Sequence, residues 1–160
     1  MRLNRDYFRS AIFGFQDALV STTGVVVGVA TGSQDKSTVI LAGIVTIVVE
    51  SLSMGAGQYL SEKSVHQLDG RHQDIPLVGG LIMFTSYFLA GLIPVSSIIL
   101  FPLKLAIPST IISSLLGLFT LGWIKAKLIN KKPLKSAIEV SFIGGLSVLL
   151  GLLIGNLIKV

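Results

Sequence analysis

The chain has 160 residues, of which 51% are hydrophobic and 13% are charged. A soluble domain carries roughly a quarter charged residues, so this composition excludes a soluble globule and predicts an all-α membrane protein whose solvent is lipid. The net charge of +5 would favour nucleic acid as the partner of a soluble protein, but these basic residues lie in short segments between apolar runs and predict no such partner. The absence of cysteine excludes thiolate metal sites.

Five apolar segments are each long enough to cross the hydrocarbon core, which needs about 20 helical residues. They cover residues 10–32, 38–60, 76–100, 105–128 and 136–158. The first follows three arginines, as in a signal peptide, but it is too long and carries an acidic residue, so we predict a transmembrane helix. Residues 1–160 therefore form a single transmembrane domain, in which residues 61–75 are a short cytoplasmic loop.

The first predicted helix carries an acidic residue and a run of spaced glycines. Asp17 lies eight residues after Arg9, which places it about 12 Å into the membrane at the helical rise. A carboxylate near the bilayer centre costs about 2.5–3.5 kcal/mol on insertion scales, and such residues usually mark ion or proton paths. Gly24, Gly28 and Gly32 form a double G-x-x-x-G pattern, which lets helix backbones approach closely in lipid. We expect these glycines to serve either packing within one protomer or a dimer seam.

The second predicted helix carries Glu50 and Met54 at a depth close to that of Asp17. It runs back toward the cytoplasm, and Met54 lies eight residues before Glu62. Glu50 lies one turn deeper on the same face. Two carboxylates and a thioether predict a path for a divalent cation: carboxylate oxygen alone suits Mg²⁺, Ca²⁺ and Mn²⁺, whereas sulfur shifts the preference toward softer ions such as Fe²⁺. The alternatives are that Met54 only fills a gap in the core, and that the carboxylates make a structural hydrogen bond.

The predicted loop at residues 61–75 holds several side chains of metal-binding type. They are Glu62, His66, Asp69 and His72. Because histidine and carboxylate suit first-row ions, these residues could form a weak metal-capture cluster on the cytoplasmic side. The alternative is a solvated connector between two helices.

Lysine and arginine divide unevenly between the two sides of the membrane. With five spans, ten fall on the side of the N-terminus and three on the other. Cytoplasmic segments carry the excess of Lys and Arg, so we predict that the N-terminus is cytoplasmic and the C-terminus lies outside. A small cysteine-free chain with no targeting tail favours a prokaryotic plasma membrane, or a vacuolar or organellar membrane if the protein is eukaryotic.

Two segments of the chain resemble the vacuolar iron transporter family. Residues 12–28 read IFGFQDALVSTTGVVVG and resemble the family's first helix, and residues 41–64 read LAGIVTIVVESLSMGAGQYLSEKS and resemble its second. The patterns D-x-L-V-S-x-x-G-V-V-x-G and S-M-G-x-G-x-Y-L-S are specific and occur in the expected order. The last three helices match the family in number and in their glycine-rich character.

The resemblance implies a homodimer that moves Fe²⁺, and often Mn²⁺, out of the cytoplasm in exchange for protons. The metal is then a transported substrate, and no permanently bound cofactor is implied. The family's first-helix aspartate corresponds to Asp17 and its second-helix methionine to Met54, both on a path at the dimer interface. Glu50 matches the second-helix acids that family members carry at varying positions, whereas the Glu often found before the tyrosine is Gln58 here.

One departure from the family is large. Its best-known members insert a long, Glu-rich helical metal-binding domain between the second and third helices, where this chain has only residues 61–75.

We therefore weigh two functions. The leading one is a divalent-metal exporter in which Asp17 and Met54 are ligands, while Glu50 is a ligand or, with Asp17, a proton carrier. The alternative is a non-transporting scaffold or metal-sensing subunit of a larger complex; we expect no enzyme, because no nucleophile–base set or nucleotide fingerprint occurs.

Overall fold

Five long helices make up the described part of the chain. The computed structural model describes residues 4–33, 35–69 and 75–159. The helices are α1 (Arg5–Ser33), α2 (Lys36–Asp69), α3 (Pro76–Leu100), α4 (Leu103–Leu128) and α5 (Pro133–Leu157). Each is long and apolar enough to cross a membrane, so the predicted all-α fold with five spans is confirmed and the protein is an integral membrane protein.

Polar residues and prolines mark where the helices begin. Asp35 caps α2, because its Oδ2 accepts hydrogen bonds from the backbone N–H of Thr38 at 2.8 Å and from the Thr38 hydroxyl at 2.6 Å. These bonds hold the pKa of the exposed Asp35 carboxyl below its usual value. Pro76 and Pro133 stand at the first positions of α3 and α5, where a missing N–H costs nothing.

The structure corrects the predicted loop at residues 61–75. Helix α2 continues without a break to Asp69, nine residues beyond the predicted span. Hydropathy falls near residue 60 because charged residues follow, but a helix needs only suitable backbone propensity, and SEKSVHQLD contains neither glycine nor proline. The apolar stretch and the helix therefore end at different places.

Helix α1 is the centre of the bundle. It packs against each of the other four helices, while α2 packs on α3, α3 on α4, and α4 on α5. The outer helices thus follow one another around α1 and leave it uncovered between α2 and α5. There the surface forms an apolar groove of about 610 Å³, which runs along α1 from Ser21 to Ser33.

The glycines of α1 pack against α5 within one protomer. A Cβ on Gly28 would lie 3.1 Å from the carbonyl oxygen of Gly151, and one on Gly32 would lie 2.9 Å from the carbonyl oxygen of Ile158. A Cβ on Gly24 would lie 2.5 Å from Oγ of Ser147, which donates a hydrogen bond to a carbonyl of α1. The glycine pattern therefore permits backbone contact between α1 and α5. Gly24, Gly28 and Gly32 also line the open groove, so a second role at a dimer seam stays a prediction.

Candidate functional site

Helices α1 and α3 each bring a hydroxyl group to Glu50 of α2. The side chain of Glu50 is half-buried on α2. Its Oε2 accepts a hydrogen bond from Ser21 of α1 at 3.0 Å and another from the phenol of Tyr87 of α3, and the two hydroxyl oxygens lie 2.5 Å from each other. The carboxylate is thus attached to its neighbours through one oxygen.

Asp17 lies near Glu50 but takes no part in the hydrogen bonds among Glu50, Ser21 and Tyr87. Its half-buried carboxylate on α1 lies within electrostatic reach of Glu50. No hydrogen bond from the described part of the chain reaches Asp17. A carboxylate inside a membrane-spanning helix needs a partner, because lipid supplies none. The role of Asp17 as a metal ligand stays a prediction.

Met54 is the third residue of the predicted cation path. It lies on α2 one turn from Glu50, and it packs against a buried cluster that contains Ala18 of α1 and Tyr87 of α3. Its side chain is half-buried, so it both contacts the core and remains partly accessible. Core packing and metal binding are compatible at this position, since a thioether is flexible and polarizable.

Glu62 and His66 of the predicted capture cluster lie on the helical extension of α2. Glu62 is only 5% exposed, accepts a hydrogen bond from Nε2 of Gln58 at 2.5 Å, and packs against Gly79 of α3, where a Cβ would collide with it. His66 lies one turn further on and is half-buried. The side chain of Asp69 and all of His72 lie outside the described residues, within which no group of three or more His, Cys, Asp or Glu could hold a metal ion. The cluster stays a prediction, and Glu62 turns toward α3 rather than toward the cytoplasm.

Tyr87 is the residue of this site that sequence reasoning missed. It is fully buried in the middle of α3, a helix for which the sequence predicts only a membrane span. A buried tyrosine hydroxyl usually finds a hydrogen-bond partner, so a phenol far from both ends of an apolar helix was the available signal. Its partner could not be named without the packing of α1, α2 and α3.

The sequence is similar to one family of known proteins. The sequence model of the VIT family matches residues 8–71 and 65–156. Vacuolar iron transporter homolog 2 of Arabidopsis thaliana is 23% identical over 154 residues, covering 88% of this chain and 79% of the relative. Vacuolar iron transporter 1 of Arabidopsis thaliana is 24% identical over 202 residues, covering 87% and 81%. The vacuolar iron transporter of Toxoplasma gondii is 21% identical over 226 residues, covering 96% and 75%.

Two of these alignments are longer than this chain. Alignments of 202 and 226 positions exceed the 160 residues of this chain, so those two relatives carry additional residues. The two segments matched by the family model overlap at residues 65–71, where α2 ends.

Proposed function

The chain belongs to the VIT family, and we propose that it exports Fe²⁺, with Mn²⁺ as a second substrate, from the cytoplasm in exchange for protons. The observation that carries the proposal is that Asp17 of α1 lies within electrostatic reach of Glu50 of α2, and Met54, one helical turn from Glu50, supports it. Two carboxylates attract a divalent cation, and the thioether favours a softer first-row ion. Relatives named vacuolar iron transporters support iron as the substrate.

The same carboxylates supply a means of coupling metal to protons. An ionised carboxylate binds a cation, whereas a protonated one has lost the charge that attracts it. If metal and proton compete for Asp17 and Glu50, release of metal on one side accompanies uptake of protons there. Competition for a shared group produces exchange without requiring a separate proton path.

A second copy of the chain would complete the site. One protomer offers two carboxylates and one thioether, whereas ions such as Mn²⁺ prefer six ligands in octahedral geometry. The only face of α1 that the outer helices leave uncovered is the groove between α2 and α5, as far as the described residues show. A homodimer that pairs these faces would bring two copies of Asp17 toward one path and shield them from lipid.

The groove also extends from the proposed site toward one side of the membrane. It begins at Ser21, which hydrogen-bonds Glu50, and it continues to Ser33 at the end of α1, a length of about 18 Å at the helical rise. With the N-terminus in the cytoplasm, as the excess of basic residues on that side favours, this end of the groove opens away from the cytoplasm.

Flux measurements in proteoliposomes test the proposal. We expect the purified protein to carry Fe²⁺ and Mn²⁺ across the vesicle membrane when a proton gradient is imposed, and the flux to stop when an ionophore collapses the gradient. Flux that ignores the gradient would contradict proton exchange. A folded protein without flux would favour the scaffold or sensing subunit, and purification with a fixed partner protein would strengthen that alternative.

Substituting Met54 by leucine separates its two possible roles. Leucine keeps the volume that packs against the buried cluster but removes the sulfur. We expect Fe²⁺ flux to fall at least about tenfold, the lower range for loss of a group that supports a metal site, while Mn²⁺ flux changes less because it depends on oxygen. The matched control is Met83→Leu, which exchanges a buried methionine of α3. Equal losses for both ions in Met54→Leu would show that the residue only packs.

A further inference from the structure

The hydrogen bonds at Glu50 are unequally shared between its two oxygens. Both bonds that it accepts within the described residues go to Oε2. Ser21 and Tyr87 have one hydroxyl proton each, so either both donate to Oε2, or one donates to Oε2 and the other to its neighbour. In each arrangement Oε2 accepts at least one hydrogen bond, whereas Oε1 accepts none from the described residues and remains for another partner.

The geometry points to Tyr87 and Ser21 as positioning residues that restrict Glu50 to one metal-binding oxygen and thereby select against Ca²⁺. This inference rests on the proposed function, because it assumes that Glu50 binds the transported metal. It assigns a role to Tyr87, which is not a metal ligand in that scheme and acts through its hydrogen bond to Glu50.

Tyr87 is built to hold its position. Its ring is fully buried and packs in a cluster with Leu19 of α1, Leu118 of α4 and Val140 of α5. Packing from several helices restricts the side chain to one rotamer, so its hydroxyl cannot follow Glu50 if the carboxylate turns. The carboxylate must therefore give up a hydrogen bond before it can offer both oxygens to an ion.

Losing one oxygen affects Ca²⁺ more than it affects smaller ions. Ca²⁺ takes about six to eight oxygen ligands and often binds a carboxylate through both oxygens. Fe²⁺ and Mn²⁺ need fewer ligands, and Fe²⁺ gains from the sulfur of Met54. Two carboxylates free to use all their oxygens would suit Ca²⁺ well. The hydroxyl groups of Ser21 and Tyr87, which we call the hydroxyl clamp, hold one oxygen of Glu50 and thereby lower the affinity for Ca²⁺ selectively.

Competition between Ca²⁺ and Mn²⁺ tests the clamp. In proteoliposomes containing the full chain, we expect Tyr87→Phe to lower the Ca²⁺ concentration that halves Mn²⁺ flux by about tenfold, since ligand number shifts Ca²⁺ affinity by decades. Ser21→Ala should shift it in the same direction and serves if the tyrosine variant does not fold. Tyr59→Phe removes a phenol hydroxyl from α2 away from Glu50 and should leave the competition unchanged.

A second pair of measurements separates the clamp from the proposed transport. In the detergent-purified protein, adding Glu50→Gln to Tyr87→Phe should abolish the gained Ca²⁺ sensitivity of Mn²⁺ binding, whereas a merely structural effect of Tyr87 would persist. Competition of Ca²⁺ with Mn²⁺ binding to the detergent-purified protein gives a readout without flux. Folded Tyr87→Phe and Ser21→Ala proteins that reject Ca²⁺ as the wild type does, by flux and by binding, would overturn the clamp and leave the transport function standing. Absence of Mn²⁺ flux in the wild type, with Mn²⁺ binding and the Ca²⁺ shift retained, would overturn transport alone.

Discussion

Asp17→Ala is expected to lower proton-driven Fe²⁺ and Mn²⁺ flux to the background of protein-free vesicles. Loss of a group that only supports a metal ligand costs about 10–100-fold in affinity or activity, and we expect loss of a ligand to cost at least the upper figure. The fold should survive, because Asp17 accepts no hydrogen bond from the described part of the chain. Flux is measured with a metal-sensitive dye inside the vesicles.

Two further variants decide what property of Asp17 matters. Asp17→Asn keeps the shape and one oxygen but removes the negative charge, so we expect it to be as inactive as the alanine variant. Glu139→Ala is the matched control, since it removes an exposed carboxylate from α5 outside the proposed path. Substantial flux in Asp17→Asn would contradict a role for the charge, and equal losses in Glu139→Ala would point to a general effect of net charge.

Gly151→Ala is expected to destabilise the protein more than Gly145→Ala does on the same helix. A Cβ at Gly151 would collide with the carbonyl oxygen of Gly24 and lie 3.2 Å from its carbonyl carbon and 3.3 Å from its Cα. Backbone atoms cannot swing aside as a flexible side chain does, so α1 and α5 must separate. Overpacking of this kind typically costs about 1–3 kcal/mol, which thermal unfolding of the purified protein in detergent would detect.

Gly145 provides the control on the same helix. An added Cβ there meets no atom within 4 Å, so Gly145→Ala should unfold at the temperature of the wild type or slightly above it, because alanine favours helix. If Gly151→Ala matched Gly145→Ala in stability, the contact between α1 and α5 would not be as close as described. The glycine pattern of α1 would then be better explained by a contact between two copies of the chain.

The candidate site was partly within reach of sequence reasoning. Counting residues from the charged ends of two consecutive helices put Asp17, Glu50 and Met54 at similar depths, because the helical rise converts sequence separation into distance along the membrane normal. The structure places Asp17 within electrostatic reach of Glu50. The same counting could not find the contact of Glu50 with Tyr87, which lies 37 residues away on another helix.

The predicted loop shows a different limit. Hydropathy reports where a segment leaves the apolar core, and it placed the end of the second span near residue 60. It does not report where the backbone stops being helical, which is nine residues later at Asp69. As a result, Glu62 was expected in a solvated loop, whereas it is buried against Gly79 of α3.

The sequence by itself determined that the chain spans the membrane five times and that Asp17 and Glu50 lie inside the first two spans. Partition into lipid depends on about 20 consecutive residues at a time, so it can be read locally. Only the tertiary structure decided that Gly24, Gly28 and Gly32 meet α5, and that Tyr87 and Ser21 hold one oxygen of Glu50. A glycine spacing or a buried hydroxyl requires a close partner, but which helix supplies it depends on packing among segments far apart in the chain.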